Sequence, residues 1–408
     1  MKVLEQRRKV PLRASGGRKD QSSHGACRED TGRARSPRAL SFMRIFGAAA
    51  LGAWVMLCPY RSSAQSASLV FTSTTGVATG VAALSATPSA GFDEEIVLNG
   101  RLQTGPLRVT ALASVSFSTG LASLGRWSVF SSGQTLRWSW PAWSSRAASP
   151  DTLASIEIEE LAAALSGTLA HTGFRIELGK FPLKWGVGKA FHPSDIFKTM
   201  DYAWLIPASK GLPAARLALF PSPLSRFEAV ASIDGDSTVT AGARYLTALG
   251  DTAAIAASGG RRRQTGAADE YSGSFEGQID AGIFTPYTEL SVRTDGSSAY
   301  AITMLGSSLA AGDVTLWLEG QASFGPATMN AQLFLLGTWK VSELTSVSMP
   351  VFWFDDARIL SASALAQFQG ILDGRLDLTA TGRWLSATTP PGFLWKLSAY
   401  WTRSLSTY

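Results

Sequence analysis

The stretch LRVTALASVSFST, residues 107–119, shows most clearly a pattern that recurs along this chain. One face carries the apolar side chains of Leu107, Val109, Ala111, Ala113, Val115 and Phe117, and the other carries Arg108, Thr110, Ser114, Ser116 and Ser118; Leu112 breaks the rule. Successive side chains of a β-strand point to opposite faces, so this period of two predicts a strand. A strand of about 9–11 residues is long enough to cross a membrane.

The same alternation recurs along most of the chain, with turns such as Asp295-Gly296 and Asp373-Gly374 between the repeats. It is clear at residues 96–103, 135–140, 174–178, 226–233, 238–245, 274–283, 314–321, 375–384 and 393–403. Soluble β-sandwich domains have about 100 residues and strands of about 5–6. Long strands without a linker instead predict an all-β fold, a transmembrane antiparallel up-and-down β-barrel of about 16 strands, within a range of about 14–18.

Some strands are apolar on both faces. Phe334, Leu336, Phe352 and Phe354 place large apolar side chains where a polar lumen would require polar ones. We therefore expect a plug or a loop to pack against some inward positions of the barrel.

Charge is divided unevenly along the chain. Residues 1–64 hold 13 of the 37 Lys and Arg residues and 4 of the 31 Asp and Glu residues, a net charge of +9, which leaves −3 for the remainder. A nucleic-acid-binding surface requires clustered positive charge on the folded domain. Nucleic acid is therefore not expected as a partner.

The N-terminal residues have the pattern of a targeting segment. Residues 1–42 read as a disordered basic extension or a mis-assigned start, and residues 43–64 as a signal peptide cleaved after Ala64. The alternatives are an unusually long positively charged n-region, a disordered tail of a cytoplasmic protein, and a lipidated Cys58. This assigns residues 65–408 to a barrel in the bacterial outer membrane. Both cysteines, Cys27 and Cys58, precede that barrel, so it needs no disulfide.

Residues 173–197 read GFRIELGKFPLKWGVGKAFHPSDIF and carry the most specific pattern. Gly179-Lys180 is followed by Trp185-Gly186 and then by Phe191, Pro193 and Asp195. Over residues 155–198 this order resembles a motif of several uncharacterised porin-like outer-membrane families. The resemblance implies a porin-type barrel and no specific substrate.

Strand alternation stops between residues 186 and 213, which predicts a long loop. One hypothesis is that it folds into the lumen and narrows it, and the alternative is an extracellular loop with a short helix at residues 193–200. Charged groups at a constriction set solute selectivity. The candidate lumen and constriction residues are Lys184, Trp185, Lys189, His192, Asp195, Lys198 and Asp201, with Glu157, Glu159, Arg175 and Glu177 on the preceding strands. Glu157 and Glu159 share a strand face and are expected to line water or to pair with Arg175.

Catalytic and metal-binding patterns are missing from the sequence after residue 64. His171 and His192 are the only histidines after residue 64, so neither a hydrolytic triad nor a metal-ligand set is expected. No cofactor is expected either. We therefore predict no enzyme activity.

The predicted function is passive passage of small solutes. The alternatives are a surface-exposed structural or adhesion barrel, and a transporter of a hydrophobic substrate in which residues 65–92 form a small plug rather than a first strand pair. The expected partners are outer-membrane lipid, small solutes and the barrel-assembly machinery, whose signal the terminal Tyr408 resembles. A homotrimer is expected by analogy alone.

Overall fold

Antiparallel strands dominate the computed structural model. It describes residues 66–81, 89–119, 144–148, 152–197, 200–201, 208–209, 211–234, 238–264, 266–326, 328–355, 358–386 and 392–407. The predicted basic extension and signal peptide lie outside these residues, as does the predicted strand at 135–140, and all three stay predictions.

Twenty-one strands are described. They are β1 (Ser66–Val81), β2 (Ser89–Thr104), β3 (Leu107–Thr119), β4 (Ser144–Ala148), β5 (Thr152–Leu169), β6 (Thr172–Pro182), β7 (Met200–Asp201), β8 (Ala208–Ser209), β9 (Gly211–Ser222), β10 (Ser225–Ile233), β11 (Val239–Leu249), β12 (Ala253–Arg263), β13 (Glu270–Ile279), β14 (Phe284–Thr294), β15 (Ala299–Ala311), β16 (Val314–Phe324), β17 (Met329–Ser342), β18 (Thr345–Phe354), β19 (Ile359–Ile371), β20 (Gly374–Leu385) and β21 (Gly392–Thr407). The strand predicted at residues 107–119 coincides with β3.

Eighteen of these strands close into a barrel, at the upper end of the predicted range. Each pairs antiparallel with the next of the eighteen along the chain, and β21 pairs with β1, so the described strands form a closed ring. Short β4 pairs with β5 beside the ring, while β7 and β8 form a separate pair. β1 and β2 also pair with each other, so residues 66–81 and 89–92 belong to the first strand pair rather than to a plug.

The two faces of the wall are inverted relative to a soluble protein. In β14, Leu290 and Val292 are 47% and 48% exposed, whereas Glu289 and Ser291 are fully buried. Membrane barrels have this arrangement, because their apolar face contacts lipid and their polar face lines the interior. The predicted transmembrane barrel is confirmed as a fold. No helix among the described residues is long and apolar enough to span a membrane.

The connections differ at the two ends of the barrel. Two-residue turns such as residues 312–313 and 343–344 join strands at one end, which we call the short-turn end. The first residues of β1 and the last residues of β21 also lie at this end. The 28-residue connection between Pro182 and Gly211 lies at the other end of its strands and supplies the candidate site.

Candidate functional site

The chain leaves the barrel wall at Pro182 and rejoins it at Gly211, and these two residues are cross-strand partners. Strand pairing thus stops three residues earlier than the sequence pattern predicts, and it also resumes three residues earlier. Residues 183–197, which we call the inward segment, contact side chains on the polar face of the wall. The segment therefore lies inside the barrel, and its described residues contain turns but no helix.

Glu289 of β14 holds the first part of the inward segment. Its Oε1 accepts hydrogen bonds from the backbone N–H groups of Val187 (2.7 Å) and Gly188 (2.9 Å), and its Oε2 accepts one from Ser194 (3.0 Å). Backbone donors that point at a carboxylate form charge-assisted bonds, which are stronger than neutral ones. One buried side chain thus fixes both ends of the turn between residues 187 and 194.

Glu319 of β16 holds the middle of the inward segment in the same way. It accepts hydrogen bonds from the backbone N–H of Lys189, from Ala190 (2.8 Å) and from Phe191 (3.0 Å). The Tyr287 hydroxyl donates a further bond to it (2.7 Å). The two glutamates therefore satisfy six backbone donors that would otherwise be buried without partners.

Two glycines of the motif allow this close approach. Gly186 has a φ of +107°, and a Cβ there would lie 2.7 Å from Glu289 Oε1. A Cβ on Gly188 would lie 2.0 Å from the carbonyl oxygen of Phe191. Only glycine fits both positions, so Trp-Gly-x-Gly is the part of the pattern that lets backbone reach the carboxylates.

A glycine pair in the wall receives one flank of the segment. Gly242 of β11 and Gly260 of β12 are cross-strand partners, and a Cβ on either would lie within 2.6 Å of the Ile196 side chain. Trp185 packs beside it, edge-on to Phe197 with ring centroids 5.0 Å apart. These side chains form one buried apolar cluster with Leu183, Leu212 and Val230. Trp185 is thus a packing residue and does not line open space.

A second apolar cluster explains the strands that are apolar on both faces. Ala190 and Phe191 of the inward segment pack against Met304, Phe334 and Leu336, with Phe352 at the edge. The expectation that a loop covers some inward positions is confirmed for Phe334 and Leu336. Apolar side chains are stable inside this polar barrel because the segment removes them from water.

Lys184 and Lys189 lie on the less covered side of the segment. Lys184 Nζ donates to the Gly188 carbonyl oxygen (3.0 Å), and the Lys189 ammonium lies 5.5 Å from the centre of the Trp317 ring. Partial burial, reinforced by the nearby Lys189 charge, lowers the pKa of Lys184.

His192 and Asp195 are buried instead. Burial, reinforced by the Lys184 charge, lowers the pKa of His192 to about 3, so the ring is neutral. Neither ring nitrogen has a partner among the described residues. Asp195 Oδ1 accepts from the Phe197 N–H (3.0 Å), and Arg293 of β14 donates to the Pro193 carbonyl oxygen (2.8 Å).

The strand carboxylates have different partners from those predicted. Arg175 pairs with Glu177 (2.9 Å), which also binds Arg216, and Glu157 pairs with Lys180 (3.4 Å). The predicted pairing of Glu157 or Glu159 with Arg175 is therefore wrong. The register shifts between β3 and β5 so that Glu159 is an extra residue without a cross-strand partner on β3, and the predicted shared face with Glu157 is interrupted there.

Two candidates cannot be placed in the site. Lys198 lies outside the described residues, and Asp201 is described only as part of the short strand β7. In the part of the chain that the structure describes, no cluster of three or more His, Cys, Asp or Glu residues could hold a metal ion.

A closed antiparallel barrel with an apolar exterior and a polar interior has the architecture of bacterial outer-membrane barrels. Solved structures with this fold include a BenF-like porin from Pseudomonas fluorescens Pf-5, with a TM-score of 0.55, 10% identity, and coverage of 84% of this chain and 100% of that one. They also include OccAB1 of Acinetobacter baumannii (TM-score 0.54, 8% identity, 85% and 98% coverage) and OpdK of Pseudomonas aeruginosa with vanillate (TM-score 0.53, 11% identity, 84% and 99% coverage).

At this level of identity the similarity establishes the fold alone. It supports the porin-like part of the resemblance, while the Gly-Lys, Trp-Gly, Phe-x-Pro-x-Asp motif itself stays a prediction. No protein-family model and no curated protein sequence matches the chain.

Proposed function

We propose that this chain is a bacterial outer-membrane channel through which small solutes pass without an energy source. The observation that carries this proposal is the inward segment, held inside a closed barrel by Glu289 and Glu319. Each glutamate is the sixth residue of an eleven-residue strand, so the segment crosses the interior near the middle of the wall. A segment at that height narrows a lumen without sealing either mouth.

The inward segment is the constriction of the proposed channel. Its backbone donors bind the carboxylates of Glu289 and Glu319 in the wall, whereas Lys184 and Lys189 remain on the less covered side. Positive charge at a narrowing favours anions over cations. The buried residues Trp185, His192 and Asp195 hold the shape of the segment, and Arg175, Glu177 and Glu157 line the wall towards β5 and β6. Lys198 and Asp201 complete the predicted set.

The proposed surroundings of the barrel follow from its two faces. Outer-membrane lipid contacts the exterior, small solutes contact the interior, and the barrel-assembly machinery inserts the chain. No enzymatic step is part of the proposal, and a homotrimer is its proposed assembly.

Planar-bilayer recording of the purified full-length protein tests the proposal. We expect stepwise ion conductance with reversal potentials on the anion-selective side. Vanillate, the compound named with the OpdK structure, is a suitable first solute because it is a small organic anion. Uptake by proteoliposomes would be compared with that of liposomes alone. Folded protein that inserts but produces neither current nor uptake would contradict the proposal.

A further inference from the structure

The outer face of β1, β2 and β21 carries polar groups where the rest of the outer wall is mainly apolar. Glu94 faces outward, because Asp93 beside it is 5% exposed and faces the lumen, whereas Phe92 on the same face is 39% exposed. Its cross-strand partners are Phe117, which is 44% exposed, and Thr75. A carboxylate therefore lies on the surface that the fold turns towards lipid.

Glu94 is only partly satisfied by its own chain. Its Oε1 accepts a hydrogen bond from Ser73 Oγ (2.9 Å), and its Oε2 accepts one from Thr75 Oγ1 (2.5 Å). A carboxylate offers about four acceptor sites, so half of its capacity remains. Charged side chains on the lipid face of a barrel destabilise it unless something other than lipid covers them.

An opposite charge lies on the same face two strands away. Arg403 of β21 alternates with Trp401 and Leu405, of which Leu405 is 57% exposed, so its side chain also faces outward. It is the cross-strand partner of Ser73. Among the described residues its guanidinium group forms no hydrogen bond or ion pair. Glu94 and Arg403 thus present unlike charges on one face, two strands apart, and do not pair with each other within one chain.

An open apolar groove of about 860 Å³ continues from this polar patch across β19–β21, β1 and β2. Its walls are large side chains, Val77, Phe92, Leu378 and Leu397, and between them lie Ala364, Ala366, Ala380 and Ala399. Small residues allow two membrane surfaces to approach closely. The groove and the charged pair occupy one continuous part of the outer wall.

We propose that this wall, from β19 through β21 and β1 to β2, is an interface between copies of this chain. Glu94 of one copy pairs with Arg403 of the next, and outward side chains of the second copy fill the groove. A second copy is favoured as the occupant because the face is complementary in charge to itself, and because its polar groups suit protein better than acyl chains. The inference rests on the membrane-embedded barrel of the proposed function, but not on conduction.

Cross-linking in native membranes tests the contact directly. The predicted mature chain has no cysteine, so Thr79→Cys at the groove introduces a single thiol, and Thr288→Cys on the outer face of β14 is the matched control. A short bifunctional thiol reagent should join Thr79→Cys copies into covalent dimers and leave Thr288→Cys monomeric. Equal cross-linking at both sites, or none at Thr79, would overturn the interface.

Charge exchange tests the pair. Glu94→Arg and Arg403→Glu should each reduce the association constant at least about tenfold, measured by native mass spectrometry in mild detergent, and the double variant should restore it. Arg263→Glu, at the last residue of β12 and away from this wall, is the control and should leave association unchanged. A wild-type protein that is monomeric under these conditions, or a double variant no better than either single one, would contradict the proposal. Conductance of the same samples separates a failed interface from a failed channel.

Discussion

The two halves of the lumen wall satisfy their polar groups in different ways. On β14 and β16, the inward carboxylates of Glu289 and Glu319 bind the backbone of the inward segment. On β19–β21 and β1, inward side chains bind one another across neighbouring strands, as Thr74 does with Thr402 (3.0 Å) and Asp377 with Gln367 (3.2 Å). The two glutamates depend on the segment for their hydrogen bonds, whereas Thr74 and Asp377 form theirs with neighbouring strands.

This difference indicates how a barrel can position a constriction. On the first half, two buried carboxylates find hydrogen-bond donors, and two small apolar clusters form, only when the segment is in place. The inward side chains Asp377 and Tyr400 of the second half are as deeply buried as Glu289 and Glu319, but the bonds of Thr74 and Asp377 run between neighbouring strands.

Removing both anchoring carboxylates should have the largest effect. Glu289→Ala with Glu319→Ala leaves six backbone donors unpaired, and each unmade buried bond costs about 1–3 kcal/mol. We expect the segment to detach, single-channel conductance to rise, and residues 183–197 to become sensitive to protease.

Asp377→Ala is the matched control on the other half, where the bound partners are Gln367 and Arg375. It should leave protease sensitivity of the segment unchanged. If Asp377→Ala released the segment as fully as the double variant does, the contrast between the halves would be wrong.

Adding one methyl group at the tightest turn should have a smaller effect. Gly188→Ala places a Cβ against the Phe191 carbonyl, and such overpacking typically costs about 1–3 kcal/mol. Flickering between two conductance levels is the expected result. Gly273→Ala is the control, because nothing lies within 4 Å of its added Cβ. Identical current traces for both variants would show that the close approach at Gly188 does not affect conduction.

Acid should loosen the segment through His192. Its pKa is about 3 when docked and 6.5 when unperturbed, so the released segment binds a proton that the docked one cannot. Docking is therefore complete above pH 6.5 and weakens as the pH falls towards 3. Conductance should rise over this range more steeply in the wild type than in His192→Asn. Equal slopes would assign the whole pH response to the carboxylates, which both proteins share.

Neutralising Lys184 and Lys189, the two lysines of the inward segment, should have the smallest effect. Charges that remain in contact with solvent contribute about 1 kcal/mol or less, so Lys184→Gln with Lys189→Gln should shift the anion-to-cation permeability ratio towards cations without changing conductance much. Reversal potentials in a salt gradient measure this ratio. Lys340→Gln near the short-turn end is the control. An equal shift in that variant would show that the constriction does not set the selectivity.

Much of the fold could be predicted because its signal is local. Alternation between apolar and polar side chains predicted β3 to the residue and the inversion of the two faces. The end of that alternation marked the inward segment to within three residues, and the paired apolar faces at Phe334 and Leu336 indicated that a loop covers them.

The anchors could not be predicted because their partners are distant in sequence. Glu289 and Glu319 lie 102 and 130 positions from Val187 and Lys189, the N–H donors they bind. In the sequence they look like any other lumen carboxylate. Likewise, the alternation gave no signal of the register between β5 and β6, which places Arg175 opposite Ser166 and far from Glu157 and Glu159, so the predicted Arg175 pairing is wrong.

Deleting residues 190–210 and recording single channels tests whether the inward segment narrows the channel. Pro182 and Gly211 are already cross-strand partners, so residues 183–189 can join β6 to β9 as a short hairpin loop. Circular dichroism and heat-dependent gel migration would verify that the shortened barrel folds. We expect a larger single-channel conductance and weaker selectivity than in the wild type. Unchanged conductance in a folded deletion variant would contradict the claim that the inward segment narrows the channel.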